Sequence, residues 1–340
     1  MFIRIAPALL AAFLAAAPPV QDPAAQKAPE SDKDPFRVHI RMHRKIAPKV
    51  VQVQAAGQVG TGVIIRSDGL ILTSPSACGP RTSTANVTLS GNRRMKGDVI
   101  GRRNDLELVL LKVDAKDLPA MEFADSTKAR IGQVTYAFGD VWGSITIDDQ
   151  VAMSLGIVSG LYEVATTQER SSLYTGPVIE TSAAVNQNLD GGPLVDAEGK
   201  MLGMITLNYH PAKFTGIAIP SHILKPEVEV MIKEFTDGGL AKEPGFVGIR
   251  VEEAPGSRTG VVIVSVSRGS PAEKAGLREG DQILRIDTDR VTSLEKFDEL
   301  TQYIRASTRI RFQVAREGKN LPPILVVAGA RPERERKPEY

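Results

Sequence analysis

From about Arg37 to Ala218 the apolar positions come in short runs rather than in helical stripes. "VVQVQAAG", "GTGVIIRSDGLILT", "VTYAFG", "VAMSLGIVSGL", "PLVDAEGKMLGMITL" and "FTGIAIP" are β-rich and broken by Gly, Asp, Ser and Pro. Short strands punctuated in this way predict an all-β barrel or sandwich. "IRSDGLIL" and "VDAEGKMLG" set Asp-Gly and Glu-Gly between apolar runs and predict two hairpins. The pattern turns helical at "SHILKPEVEVMIKEF". Residues 236–244 are polar and Gly/Pro-containing, which predicts an interdomain linker. Beyond it "GVVIVSV" and "RIRFQVAREGKNLPPILVV" read as strands, and "SPAEKAGL" and "TSLEKFDELTQYI" as helices. In the second of these Leu294, Phe297, Leu300 and Ile304 recur at helical spacing, and Thr292 with Glu295 predicts a capping box.

The ends of the chain follow a different grammar. "MFIRIAPALLAAFLAAAPPVQ" has one early positive charge, Arg4, then an apolar run from Ile5 to Ala17 closed by small residues. This predicts a signal peptide over 1–22, with an uncleaved membrane anchor as the alternative. Residues 23–35 are expected to be a flexible tether and 331–340, "RPERERKPEY", a disordered charged tail. The folded part is therefore expected in the periplasm or outside the cell. It divides into a first domain at 36–235 and a second at 245–330.

Composition narrows the function. The 340 residues are 42% hydrophobic, enough to give two domains their own cores. Forty-two basic residues face 40 acidic ones, a net charge of +2 that lacks the basic excess of a nucleic-acid binder. One cysteine, Cys78, excludes an internal disulfide framework and a multi-cysteine metal site. No phosphate loop, zinc spacing or internal repeat is present, so no cofactor and no metal are expected. The sequon "NVT" at 86–88 implies nothing by itself.

Several segments resemble, in order, those of the HtrA/DegP family of trypsin-like serine proteases. "IAPKVVQVQ" is similar to its opening strand. "GTGVIIRSDGLILT", "IGQVTYAFGDVWG", "GIVSG" and "GIAIPS" follow at the family's spacing. The resemblance implies a mainly β fold, a chymotrypsin-like double β-barrel, and a homotrimer built through the N-terminal part of the barrel. "AVNQNLDGGPLVD", residues 184–196, resembles the turn that presents the nucleophilic serine, but Asp190 stands where that serine would be. After Leu72-Thr73 the family places a histidine on a short helix; here Ser76 occupies that position. In the frame of "ELVLLKV" the aspartate position holds Glu107, with Asp105 nearby as a rival, and Asn188 falls where a glycine helps shape the oxyanion hole.

Each role has a chemical requirement. A nucleophile needs a hydroxyl or thiol, and a base must titrate near neutral pH. Ser76 has no basicity there, and Asp190 is a poor nucleophile toward an amide whose charge would sit where an oxyanion should develop. None of His39, His43, His210 or His222 falls at the missing position. Asp190 and Glu107 as a carboxylate pair, for acid/base work or a hard cation, is a rival that lacks further oxygen ligands.

Residues 245–330 resemble an HtrA-type PDZ domain, an α+β module. "GFVGIRV" is similar to the carboxylate-binding loop and its strand, and "SRGSPAEKAGLREGDQILRIDTDRVTS" matches the long pattern that follows. The resemblance implies that the backbone N–H groups around Phe246, Val247, Gly248 and Ile249 take a peptide's terminal carboxylate, while the next strand edge pairs with its backbone. Phe297 and Leu300 then line the side-chain pocket, or are simply core residues of an amphipathic helix. The expectation is an exported pseudoprotease, not an enzyme, that binds polypeptides or protein C-termini as a scaffold or regulator in the cell envelope. Two alternatives stand beside it: an HtrA-type endopeptidase with an unorthodox site, and a subunit that joins active HtrA proteases in hetero-oligomers.

Overall fold

The computed structural model describes residues 36–79, 82–164, 174–186, 188–206, 215–236, 245–255, 260–287, 289–302, 304 and 306–330. The expected signal peptide, tether and charged tail lie outside them, as do all but the first residue of the expected linker, and His210.

Helix α1 (Arg37–Ile46) precedes six strands: β1 (Val50–Ala55), β2 (Gln58–Arg66), β3 (Leu70–Thr73), β4 (Thr84–Leu89), β5 (Arg93–Arg103) and β6 (Leu108–Val113). They pair antiparallel in the order β1-β2-β3-β6-β5-β4, and β4 pairs back with β1, so the sheet closes. A single-turn helix, α2 (Pro75–Cys78), follows β3.

A second closed barrel takes β7 (Val134–Gly139), β8 (Ala152–Val164), β9 (Gly176–Thr181), β10 (Pro193–Val195), β11 (Met201–Thr206) and β12 (Gly216–Pro220), in the order β10-β11-β12-β9-β8-β7. Both predicted hairpins are present, as β2–β3 and β10–β11. A short helix, α3 (Ser144–Asp148), lies between β7 and β8, and α4 (Ser221–Thr236) follows the last strand.

Alternation along the strands explains the near-continuous apolar runs. Val51, Val53, Ile64, Ile71, Val109, Leu111 and Val113 fill one barrel, and Ala137, Val158, Ile179, Leu194, Leu202 and Ile205 the other. Their neighbours Val50, Val63, Leu72, Leu108, Leu110, Phe138, Val195, Met201 and Met204 join a third cluster with Leu224, Val228 and Met231 of α4. A strand buried on both faces has no polar side, so period 2 is hidden in the sequence while it still sorts side chains between two cores.

The second domain comprises β13 (Gly245–Phe246), β14 (Ile249–Glu253), β15 (Val261–Val266), β16 (Gln282–Ile286), β17 (Asp289–Arg290), β18 (Arg309–Arg316), β19 (Lys319–Asn320), β20 (Ile324–Val327) and β21 (Gly329–Ala330). Helices α5 (Pro271–Ala275) and α6 (Leu294–Thr301) cover a core of Val261, Ile263, Leu277, Ile283, Ile310, Phe312 and Val326. β14 ends the strand order β14-β15-β16-β18. The capping expectation at α6 is corrected. The N-cap is Ser293, whose hydroxyl accepts from Lys296 N–H at 3.1 Å, while the Thr292 carbonyl accepts from Gly260 N–H at 3.3 Å. The residue three beyond Ser293 is a lysine, so no reciprocal box forms.

Candidate active site

The turn carrying Asp190 belongs to the second barrel and is held against β2 and β3 of the first. Thr61 N–H donates to the Asp190 carbonyl at 3.0 Å, and the Thr61 hydroxyl donates to the Asn188 carbonyl at 2.5 Å. Thr73 donates its hydroxyl to the Thr61 carbonyl at 2.7 Å. Gly191 (φ +85°) is required here: a Cβ would lie 2.3 Å from the Thr61 carbonyl oxygen and 2.8 Å from Ser74 N. Gly191 N–H donates to Ile205 at 2.9 Å, and Ile205 N–H donates to Gly192 at 2.8 Å, which ties the turn to β11. Asn188 takes a left-handed conformation (φ 72°), one that asparagine tolerates better than most residues.

Facing this turn, α2 is capped by Ser74, whose hydroxyl accepts from Ala77 N–H at 3.3 Å. The same hydroxyl donates to Asp190 Oδ2 at 2.7 Å, and Ser76 Oγ lies 2.7 Å from Ser74 Oγ. Ser74 and Asp190 are buried; Ser76 is exposed. Ser76 and Asp190, the positions matched to base and nucleophile, are thus brought together through Ser74. Sequence reasoning passed over Ser74 because the family pattern points two residues further on.

Glu107 closes the one-turn helix that precedes β6, in a left-handed conformation (φ 52°), and is buried. Its carboxylate accepts a hydrogen bond from the Thr206 hydroxyl at the end of β11, again across the two barrels. Asp105, the rival, turns the other way and pairs with Arg309 Nη1 of the second domain at 3.6 Å. Among the described residues no three His, Cys, Asp or Glu side chains cluster as metal ligands. His43 Nε2 contacts the Val151 carbonyl at 2.7 Å, and His222 Nδ1 the Ser126 hydroxyl at 2.8 Å, so each has a partner of its own. Cys78 is buried, and that burial pushes its thiol up to about 11, out of the range of a reactive cysteine. Asp140, also buried, accepts from Gln52 Nε2 at 2.7 Å and Ile145 N–H at 2.8 Å, which satisfies both its oxygens.

In the second domain the 246–249 segment is held from behind. Ala272 N–H donates to the Val247 carbonyl at 2.9 Å, and Ser267 N–H to the Gly248 carbonyl at 2.8 Å. Gly248 has φ +85°, and a Cβ there would stand 2.2 Å from Ser270 Cβ. Ile249 opens β14 opposite Val266. Phe297 and Leu300 are buried in the domain core, with Val247, Ile249 and Leu294 packed against that core.

With the geometry in place, two family matches cover most of the folded chain: the trypsin-like peptidase domain over residues 60–204 and the PDZ domain over 245–322. A protein of Chlamydia muridarum named "Probable periplasmic serine endoprotease DegP-like" is 29% identical over 275 residues, 76% of this chain and 52% of that protein. One of the same name in Chlamydia pneumoniae is 28% identical over 286 residues, 80% of this chain and 55% of that one. The chain thus spans about half the length of these curated relatives. The solved structure titled "HtrA-type protease AlgW with decapeptide" matches with a TM-score of 0.50 and 25% identity, covering 86% of this chain and 99% of that chain. The chain carries a mainly β, trypsin-like peptidase domain followed by a PDZ domain, and in this arrangement it is similar to proteins of the HtrA/DegP family. The expectation of a non-enzyme is corrected by these relatives. They are named serine endoproteases and their fold neighbour an HtrA-type protease, which points to a protease.

Proposed function

We propose that this chain is an exported HtrA-type endopeptidase with an unorthodox site, which captures polypeptides by their C-termini and acts on them at the barrel cleft. The observation behind this reading is the presence in one chain of two barrels that share a hydroxyl–carboxylate cluster and a PDZ module whose β14 is an edge strand. An edge strand offers unpaired backbone groups for an incoming peptide, and N–H groups near Gly248 suit a terminal carboxylate. Phe246, Val247, Gly248 and Ile249 would hold that carboxylate, with Phe297 and Leu300 beneath the side-chain pocket. The periplasmic relatives support export, and the chain would work as a homotrimer without cofactor or metal.

The test uses the purified chain with unfolded casein and with C-terminal peptides in free-acid and amidated forms. Casein is cleaved slowly, free-acid peptides bind, and amidation weakens binding at least about tenfold, because the loop's donors then lack an anion. Gly248→Val weakens binding as well, since its side chain would meet Ser270. A pure protein that leaves casein intact at every concentration removes the endopeptidase reading. Equal binding of acid and amide removes the carboxylate loop.

A further inference from the structure

Counting hydrogens in the Ser76–Ser74–Asp190 cluster gives the chain of hydrogen bonds a direction. Ser74 has one hydroxyl proton, and it goes to Asp190 Oδ2 at 2.7 Å. Its oxygen has two lone pairs; one takes Ala77 N–H at 3.3 Å, and the other faces Ser76 Oγ at 2.7 Å. Ser76 must therefore be the donor in that pair. The exposed hydroxyl has its proton directed inward, along Ser74, toward a buried carboxylate.

We propose that Ser76 is the nucleophile of this site and that Asp190 is its proton acceptor through Ser74. The proposal rests on the endopeptidase reading above and specifies its chemistry. Hydroxyl and carboxylate have exchanged sides of the cleft. The hydroxyl stands on α2, where the family's base is expected, and the carboxylate on the turn, where its serine is expected. A serine needs a neighbouring group to take its proton during attack, and a carboxylate reached through one hydroxyl supplies that group.

The step balances without any co-reactant except water. Ser76 Oγ attacks the substrate carbonyl carbon. Its proton passes to Ser74 Oγ as the Ser74 proton passes to Asp190 Oδ2. When the C–N bond breaks, Asp190 returns a proton to Ser74, and the Ser74 hydroxyl proton leaves with the amine. Water then gives a proton to the same relay and attacks the acyl carbon, and Ser76 Oγ recovers a proton as its ester bond breaks. The net change is hydrolysis of one amide to an acid and an amine.

The experiment treats the full chain with a fluorophosphonate probe, maps the adduct by peptide mass spectrometry, and follows casein cleavage in parallel. The adduct is expected on Ser76. Ser76→Ala, at an exposed position, abolishes both adduct and cleavage. Asp190→Asn keeps the side chain's shape and an oxygen for Ser74 but lowers both rates about 100-fold, the contribution of a general base. Asp190→Glu restores part of that loss, which a merely structural role would not do. Casein cleavage undiminished in Ser76→Ala, or an adduct on another residue, overturns this assignment and leaves the endopeptidase reading standing. Wild-type protein that neither takes the probe nor cleaves casein overturns both.

Discussion

At the residue scale the site depends on how closely the Asp190 turn can approach β2. Thr61 bonds to two carbonyls of that turn, and Gly191 leaves no space between them. A side chain at Gly191 meets two penalties at once, a left-handed backbone and overlap with the Thr61 carbonyl. Gly191→Ala is therefore expected to lower the unfolding free energy by about 3 kcal/mol in urea titrations, with the Asp190–Ser74 contact opened. A loss below about 0.5 kcal/mol, the range of an indifferent surface substitution, would show that the turn is not pressed on β2. The identities at positions 76, 107 and 190 were legible in the sequence. Their arrangement was not, because Ser74 and Asp190 are 116 residues apart and meet only when two barrels close on one another. A role-by-role comparison asks whether each position holds the expected group. It does not ask whether a group has moved to a neighbouring position.

At the element scale two hairpins were written in turn chemistry, whereas helix α1 (Arg37–Ile46) opens the span that reads as short β-rich runs. Asp68-Gly69 and Glu198-Gly199 marked the two hairpins, and Gly69 (φ +94°) and Gly199 (φ +77°) take the left-handed conformations that such turns need. The strands β17, β19 and β21, of two residues each, were not legible, since two residues carry no period. Nor was α3, while α2 was expected only through the family resemblance; both are about one turn long, and their helicity depends on caps and tertiary contacts more than on an apolar stripe. The start of α6 shows the limit of pattern reading. Thr292 and Ser293 both suit a cap, and the choice between them lies in the backbone. Ser293 is extended (φ −156°, ψ 169°) and its side chain reaches Lys296 N–H. Ser293→Ala should cost about 1 kcal/mol of PDZ stability, and Thr292→Ala a few tenths. Thermal denaturation of the two variants would reverse the assignment if the larger loss fell on Thr292.

At the scale of the whole molecule, among the described residues, a group of polar contacts around the turn that leads to Glu107 joins the peptidase and PDZ domains. Arg103, its side chain 4% exposed, pairs with Glu234 at 2.9 Å and Glu227 at 3.3 Å, both on α4, and reaches the Ser307 carbonyl at 3.4 Å. Arg309 of β18 pairs with Glu227 at 3.1 Å and Asp105 at 3.6 Å. Asn104 Nδ2 donates to Asp287 Oδ2 at 2.9 Å, while Arg311 N–H donates to Asp287 Oδ1 at 2.9 Å. Burial pushes the Asp287 carboxyl above its ordinary 3.8; the hydrogen bonds from Arg311 and Asn104 and the Arg311 charge oppose that shift, and the nearby Asp105 adds to it. The sign of the consequence follows from proton linkage. A carboxyl that holds its proton more tightly when folded contributes stability below pH 3.8, and that contribution is lost as pH rises through the raised folded value. The ionised Asp287 is then a buried charge whose donors only partly replace water. Asp287→Asn cannot ionise, so it lacks this loss. Urea unfolding of both proteins across mildly acid to neutral pH should therefore show wild type losing ground to the variant as pH rises. Taking the difference between the two proteins cancels the other carboxylates, which are common to both, and isolates this group. A difference that stays constant with pH would mean that Asp287 titrates alike in the folded and unfolded chain, its burial fully offset by the hydrogen bonds and charge around it.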